Sequence, residues 1–443
     1  MSKESLQSLA ERLVAYGRKG GASQIEVTVE EGRERNAFVF GGEVQNLTEA
    51  GARNVNMRVF VDGKAATASS SDLAEATLTR LVDGAIARAR LGSADPFSGL
   101  PQAQPLGAKA EELAIHDPAI GEVATEKLIE RARQLETIGL ADTRVKKSLG
   151  ATVGTREGSR TLVNSQGFSG SFRRSAIFCN VGFQAGEGQN LLQESWGDAS
   201  RRLADLESPE VVARKAVERT VRLIGARPVP TQKVPMVLEP AMTAWVLGFL
   251  ARCVGGDAIA RRQSVFVDKL GQQVGNELVT IVDDGLLKGG IGTEPFDGEG
   301  VPCRTTTVVE KGILKSYLLD TYWGRKLKLP STGNSNGVNN LFWKAGSSTP
   351  AEIVKSVDKG LLLTGVIGLG LMPTTGDMSV GAFGLWIEKG EIVHPVAEVT
   401  ISGNLGEMLK GVQMVGNDLE MRDSVDGPTV KFAEITVGGK GAA

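Results

Sequence analysis

The 443-residue sequence holds only two histidines, His116 and His394. No element can therefore carry a histidine pair, because the two lie far apart in the chain. His116 falls in the loop-like stretch Ala114-Ile115-His116-Asp117-Pro118. His394 falls in the strand-like stretch Glu391-Ile392-Val393-His394-Pro395. Cysteine is almost as sparse. Cys179, Cys253 and Cys303 are odd in number, widely spaced and form no CxxC, which argues against a disulfide framework and for a reducing compartment.

Long apolar runs are missing too. The longest, Leu361 to Met372, is broken by Thr364 and three glycines and falls short of the roughly 20 residues a membrane span requires. The opening Met1-Ser2-Lys3-Glu4-Ser5 leads into an amphipathic helix and lacks a secretory apolar region. A cytoplasmic protein is expected. Neither sign of charge dominates: 50 Lys and Arg oppose 52 Asp and Glu, giving a net charge of −2 and a pI near 6.0. Such a surface gives no electrostatic reason for a nucleic-acid or membrane partner.

What is present is a globular composition, 41% apolar and 23% charged, long enough for two domains. Gly numbers 56 and Tyr only 3, a balance that suits a strand-rich chain with tight turns. Leu6, Leu9, Leu13 and Val14 mark a first helix ending near Gly20-Gly21. Strands are predicted at 24–29, 37–40 and 55–61, with Asp62-Gly63 turning the last into 64–69. The serine run with Asp72 is placed to cap a second helix carrying Leu78, Val82, Ala85 and Ile86. Residues 93–118 read as a surface connection, and Leu128, Ile129, Ala132 and Leu135 as a third helix. Residues 144–195 alternate like strands, with turns at Gly158-Ser159 and 164–167. A charged helix over 207–224 then meets Arg227-Pro228-Val229-Pro230, the expected boundary between domains at 1–227 and 228–443.

The second domain opens with a strand at 235–238 and a helix started by Pro240. Short strands follow at 278–282, 305–310, 313–318 and 384–387. Lys311-Gly312 and Lys389-Gly390 both read as hairpin turns with Gly supplying positive φ. The fold class is α+β: an N-terminal sheet covered by helices, then a largely antiparallel barrel-like or sandwich domain with one prominent helix.

Several segments of the second domain resemble a known family when taken in order. Phe296-Asp297-Gly298-Glu299-Gly300-Val301, Lys311-Gly312-Ile313-Leu314, Ser331-Thr332-Gly333, Thr375-Gly376-Asp377, the stretch Glu391 to Leu405 and Gly416-Asn417-Asp418 follow the pattern of the TldD/PmbA family. Asn164-Ser165-Gln166-Gly167 in the first domain fits as well. The resemblance covers nearly the whole chain. It implies that active, TldD-like members carry HExxxH on the helix opening the second domain, with a late cysteine completing a metal site. Zinc-type hydrolysis needs such a set: imidazole or thiolate ligands, an open position for water and a carboxylate base.

This chain departs from that set. Its helix reads Trp245-Val246-Leu247-Gly248-Phe249-Leu250-Ala251-Arg252-Cys253, and a gapless match from Gly256-Asp257 and Ser264-Val265-Phe266 puts Leu247, Gly248 and Arg252 at the motif positions. Slippage by a residue or two rescues nothing, because no His or Glu lies between Ala241 and Phe266. No cysteine follows Cys303. Leucine has no lone pair to donate and a guanidinium repels a cation. The pattern resembles the PmbA-like (TldE) branch, so no catalytic residue, metal ligand or cofactor is expected.

Other candidates have plainer readings. Cys253 is most simply a small buried hydrophobe, with no histidine near in sequence to activate it. Glu294, Asp297 and Glu299 have the oxygen chemistry for a hard cation, yet a solvated turn is the simpler expectation. Gly365, Gly368 and Gly370 precede Pro373 without a phosphate-loop pattern, so a packed strand or turn is expected. Asn334, Asn336, Asn339 and Asn340 offer amides to an extended peptide, or merely shape turns. Trp245, Phe249 and Leu250 suit either core or a subunit seam.

The resemblance implies a dimer, with a TldD-like catalytic subunit or with itself, enclosing a cavity for unfolded or short peptides such as precursor leaders and antitoxins. The expected function is a non-catalytic subunit that binds peptide by adding it to a strand edge. A self-sufficient hydrolase with an atypical site and a homodimeric scaffold are the alternatives.

Overall fold

The two longest strand candidates of the first half set its architecture, since each runs further than its sequence pattern suggests. The structure is a computed structural model describing residues 5–186 and 191–439. Met1 to Glu4 and part of the expected 144–195 strand run therefore lie outside the described residues. Ser5 caps α1 (Leu6–Lys19) by accepting from the Ser8 N–H. The segments 24–29 and 37–40 belong to one strand, β1 (Gln24–Phe40). Then come β2 (Glu43–Val61), β3 (Lys64–Ser70) and α2 (Glu75–Leu91). Asp72 does bond this helix start, accepting from the Ala74 N–H and the Thr77 hydroxyl, although Ala74 is the N-cap residue.

After the 93–117 connection, α3 (Pro118–Glu122), α4 (Thr125–Leu140), β4 (Val145–Asn164), β5 (Ser169–Ala185), β6 (Leu192–Ser200) and α5 (Pro209–Val221) complete the half. The turn expected at Gly158-Ser159 does not exist. β4 runs straight through it, and Gly158 faces Gly32 across the β1–β4 ladder. A Cβ on Gly32 would stand 3.3 Å and one on Gly158 3.2 Å from the other strand's backbone, so the glycines suit a close ladder crossing rather than a bend.

The six strands form one sheet in the order β3-β2-β1-β4-β5-β6. The chain thus makes an α-β-β-β-α unit twice, with β1 and β4 antiparallel at the seam. Odd-numbered β1 residues share one face by the two-residue period of a strand. Ile25, Val27 and Val29 pack with α1 and α2, and Ala37 and Val39 with α4 and α5. The other face is charged. Glu26, Arg58, Glu30 and Arg160 point from it towards the second half of the chain.

That half begins with β7 (Gln232–Leu238), α6 (Pro240–Val254) and α7 (Gly256–Ala260). Next come β8 (Ile281–Asp284), β9 (Thr305–Glu310), β10 (Ile313–Leu314), α8 (Thr321–Leu327), β11 (Leu341–Trp343) and α9 (Pro350–Lys355). The chain ends with β12 (Lys359–Ile367), β13 (Leu371–Met372), β14 (Asp377–Glu388), β15 (Glu391–Asn404), α10 (Leu405–Lys410), β16 (Val412–Val415), β17 (Val425–Asp426) and β18 (Val430–Gly438). Strands expected over 278–282 and 313–318 are only four and two residues long, at β8 and β10.

β12, β7, β18, β15 and β14 pair in that order, and β14 pairs back to β12. These five strands close a barrel, and β13 and β16 extend the same sheet beside β14 and β18. A second sheet, β10-β9-β8-β11-β17, lies beside it. α6 packs between the two, burying Val246, Leu247, Phe249, Leu250, Cys253 and Val254 in the largest core. Both expected hairpin turns are present: Lys311 and Gly312, like Lys389 and Gly390, have positive φ. They sit in different sheets. Gly365 lies within β12 against the Phe383 ring, and Gly368 turns with φ +96°. Among the described residues no helix is long and apolar enough to cross a membrane.

Candidate functional site

The charged face of the first sheet docks on the loop that the sequence marked as acidic. Arg58 grips Glu26 on its own sheet and reaches Glu299 at 2.7 Å. Arg160 bonds Glu30 at 2.8 Å and Glu294 at 3.0 Å. Arg174 and Asn336 also donate to Glu294. Asp297 accepts the N–H groups of Glu299, Val301 and Ser335. The expected solvated turn is wrong: Glu294, Asp297 and Glu299 are buried, at 8%, 1% and 6% exposed. Phe296 drives the burial by inserting edge-on between Phe168 and Phe172, an arrangement that favours aromatic pairs. Burial, aided by Glu299, pushes Asp297 up to about 6. For Glu299 burial acts upward, yet Arg58 and the Thr321 donors hold it below its usual range. These groups hold the two halves together.

The asparagines are likewise structural. Asn334 and Asn339 donate to Asp283, and Asn340 to the Asp284 carbonyl and Thr293. Only Asn336 is exposed, and it bonds Glu294. Cys253 is buried and its thiol is pushed by desolvation up to about 12, far from a thiolate nucleophile. His116 lies in the loop before α3 and His394 on β15. The sequence placed both correctly, and the structure does not unite them.

The three motif positions on α6 diverge. Leu247 is fully buried in the core, Gly248 has open space where a side chain would stand, and Arg252 is exposed. α6 turns instead Ala241 and Ala244 towards a cavity of about 890 Å³ between the two halves. The cavity is walled by β6, α5, the first turn of α6 and the loop 418–429. That loop is where the resemblance puts a late thiolate; here it is acidic. A zinc-type metal does not fit these residues. Alanine, leucine and glycine donate nothing, and the loop's hard carboxylates lack an imidazole or thiolate companion. Among the described residues no three His, Cys, Asp or Glu side chains group so as to hold a metal.

Charge is organised around Trp196 of β6. Lys215, Arg219 and Arg422 lie 5.6, 5.4 and 5.5 Å from its ring centre, within cation–π range. Arg222 makes a bidentate pair with Glu239 at 2.5 and 2.9 Å. Glu239 is the N-cap position of α6, and its carboxylate is spent on arginines rather than on the helix N–H groups. Arg219 also reaches Glu194 and the Thr364 carbonyl. Arg422 bonds Glu207, Glu420 and Asp198. Desolvation raises both Glu194 and Asp198 and pushes Asp426 up to about 6.

The sequence reading missed this cavity. One signal was available: Lys215 and Arg219 on α5 and Arg222 at its C-cap recur at helical spacing, a cationic stripe. Its carboxylate partners, Glu194 and Glu239, come from two other segments and have no local pattern.

Comparison with known proteins agrees with the architecture. Residues 25–89, 118–224 and 231–439 match the PmbA/TldA metallopeptidase domain 1, central domain and C-terminal domain. The chain is 31% identical over 433 residues to metalloprotease PmbA of Escherichia coli, covering 96% of this chain and 94% of that one. It is 30% identical to a metalloprotease PmbA homologue of Haemophilus influenzae over 99% and 97% of the two chains. A crystal structure from Bacteroides thetaiotaomicron, described as a candidate modulator of DNA gyrase, superposes with a TM-score of 0.92 at 24% identity. It spans 99% of this chain and 100% of that one. TldE from Thermococcus kodakarensis superposes with a TM-score of 0.86 at 22% identity, over 97% and 100%.

Proposed function

The chain belongs to the PmbA/TldD metallopeptidase family, and we propose that within it this protein is a subunit without metal chemistry of its own. It holds unfolded or short peptides in the cytoplasm for a partner that carries HExxxH. The observation behind this reading is the chemistry of α6. Between Ala241 and Phe266 the chain offers no histidine or glutamate in any register, and Leu247 is committed to the core. A water molecule has nothing there to lower its pKa and no base to take its proton.

Peptide holding draws support from the cavity beside α6 and from β6, whose outer edge is unpaired among the described strands. An open edge next to a pocket suits backbone addition with side-chain selection. The test uses purified protein. Metal content is measured, and peptide cleavage is assayed alone and after adding an HExxxH-bearing relative. The reading expects no stoichiometric metal, no cleavage alone, and association with cleavage in the mixture. Stoichiometric zinc with cleavage by this chain alone would reject it in favour of a self-sufficient hydrolase. Failure to associate with any such relative would favour a homodimeric scaffold.

A further inference from the structure

The cavity beside α6 is not electrically neutral. Its lining carries eight carboxylates against four cationic side chains. Arg219, Arg222 and Arg422 are already engaged by Glu194, Glu239, Asp198, Glu207 and Glu420. Three aspartates in the loop 418–426 have only neutral donors. Asp418 takes the Thr429 N–H and hydroxyl, and Asp423 takes those of Ser424. Asp426 takes the N–H groups of Arg422 and Asp423, both on Oδ2.

Two further observations point to a missing occupant. Asp426 is only 8% exposed and lines the cavity, and both hydrogen bonds it accepts fall on Oδ2. Glu207, on the same lining, has a buried Oε2 with no partner. A desolvated carboxylate with too little counter-charge is costly, and burial drives Asp426 upward despite the nearby Arg422 guanidinium. An anion would meet three arginines that are already paired, and the fourth lining cation, Lys215, lies over the Trp196 ring. A divalent ion lacks three converging ligands among the described residues. The charge that fits is a single organic cation. The same cavity is bordered by Trp196 to Ala199 of β6, an end strand of its sheet.

We propose that this cavity is a subsite for a lysine or arginine side chain of an extended peptide lying along the outer edge of β6, with Asp426, Asp423 and Asp418 as the acceptors. The inference rests on the peptide-holding reading and adds a preference for basic residues.

The experiment is fluorescence anisotropy with the full chain. The probes are labelled, end-blocked heptapeptides that differ only at the centre: lysine, the neutral isostere norleucine, or glutamate. The lysine peptide is expected to bind about tenfold or more tighter than the norleucine peptide, the scale of one charged hydrogen bond. The advantage should vanish in Asp423→Asn/Asp426→Asn and persist in Asp268→Asn, an exposed position outside the cavity lining. The isostere comparison on the unaltered chain stands even if the double variant folds poorly. Equal binding of the lysine and norleucine peptides overturns the subsite while leaving peptide holding intact. Absence of binding by every peptide, with or without an HExxxH-bearing relative, overturns both.

Discussion

Arg160 and Glu294 lie 134 residues apart in sequence, yet the guanidinium Nη1 donates to the carboxylate Oε2 across 3.0 Å. With Arg58 and Glu299 at 2.7 Å, this pair joins the charged face of the first sheet to the second half of the chain. The two bridges are not equivalent. Glu294 keeps Arg174 and Asn336 if Arg160 is lost, whereas Arg58 is the cation bonded to both Glu26 and Glu299.

Arg58→Ala is therefore expected to cost about 3–5 kcal/mol, the scale for stranding buried carboxylates. Arg160→Ala should cost about 1–2 kcal/mol less, because Glu294 remains paired. Urea unfolding of both variants measures this. Equal losses, or a loss under about 1 kcal/mol for Arg58→Ala, would contradict the assignment.

Stability should also depend on pH through Asp297, whose carboxyl is raised from 3.8 to about 6 by burial. The folded protein binds this proton more tightly than the unfolded chain does. The contribution is therefore intact below about pH 4 and is lost as pH climbs through about 6. A shift of about two units corresponds to at most about 3 kcal/mol. Asp297→Asn should flatten the decline in unfolding free energy between pH 4 and 6. An unchanged slope in that variant would show that Asp297 is not the titrating group.

Much of the first half was legible in the sequence, because helices α1, α2 and α4 carry clear apolar stripes and the Asp62-Gly63 hairpin is a local signal. Gly158-Ser159 misled because glycine is read as a turn former. Here it serves the close crossing opposite Gly32, a long-range circumstance that no local window contains. The acidic loop misled for a similar reason. Its burial depends on Phe296 entering between Phe168 and Phe172, and its charges are matched by arginines more than a hundred residues away. The family likeness and the departure at α6 could be read because both reside in contiguous stretches. The cavity could not, since β6, α5, α6 and the loop 418–429 meet only after folding.

Position 247 cannot simply be given back a ligand. Leu247 is 0% exposed within the main core, so Leu247→His places a polar ring among apolar neighbours. A loss of about 2–4 kcal/mol is expected, and the triple variant Leu247→His/Gly248→Glu/Arg252→His should not retain zinc after dialysis. Thermal unfolding and metal analysis check this together. A stable, zinc-loaded triple variant would refute the placement.

Gly139 on α4 faces Phe183 on β5 so closely that a Cβ would stand 1.9 Å from the ring. Gly139→Ala should destabilise by about 1–3 kcal/mol despite alanine's helix propensity. Adding Phe183→Leu should recover part of that loss, read as a non-additive double-mutant cycle. Strict additivity would mean the two residues do not meet.

All three thiols are buried, and burial raises each of them. The native protein should consume almost no thiol reagent at pH 8 over minutes, whereas the chain unfolded in guanidinium should consume three equivalents. Rapid native labelling of Cys253 would reopen a nucleophilic role.

The ring formed by β12, β7, β18, β15 and β14 has a dynamic corollary. A ladder joined head to tail cannot fray from a terminal strand, so several pairings must break at once before its amides meet solvent. In deuterium exchange, the slowest amides should belong to this ring, while β3 and β6, each paired along one side only among the described strands, take up label earlier. The chain thereby pairs a slow-opening hub with a looser rim, and the cavity beside α6 lies on that rim.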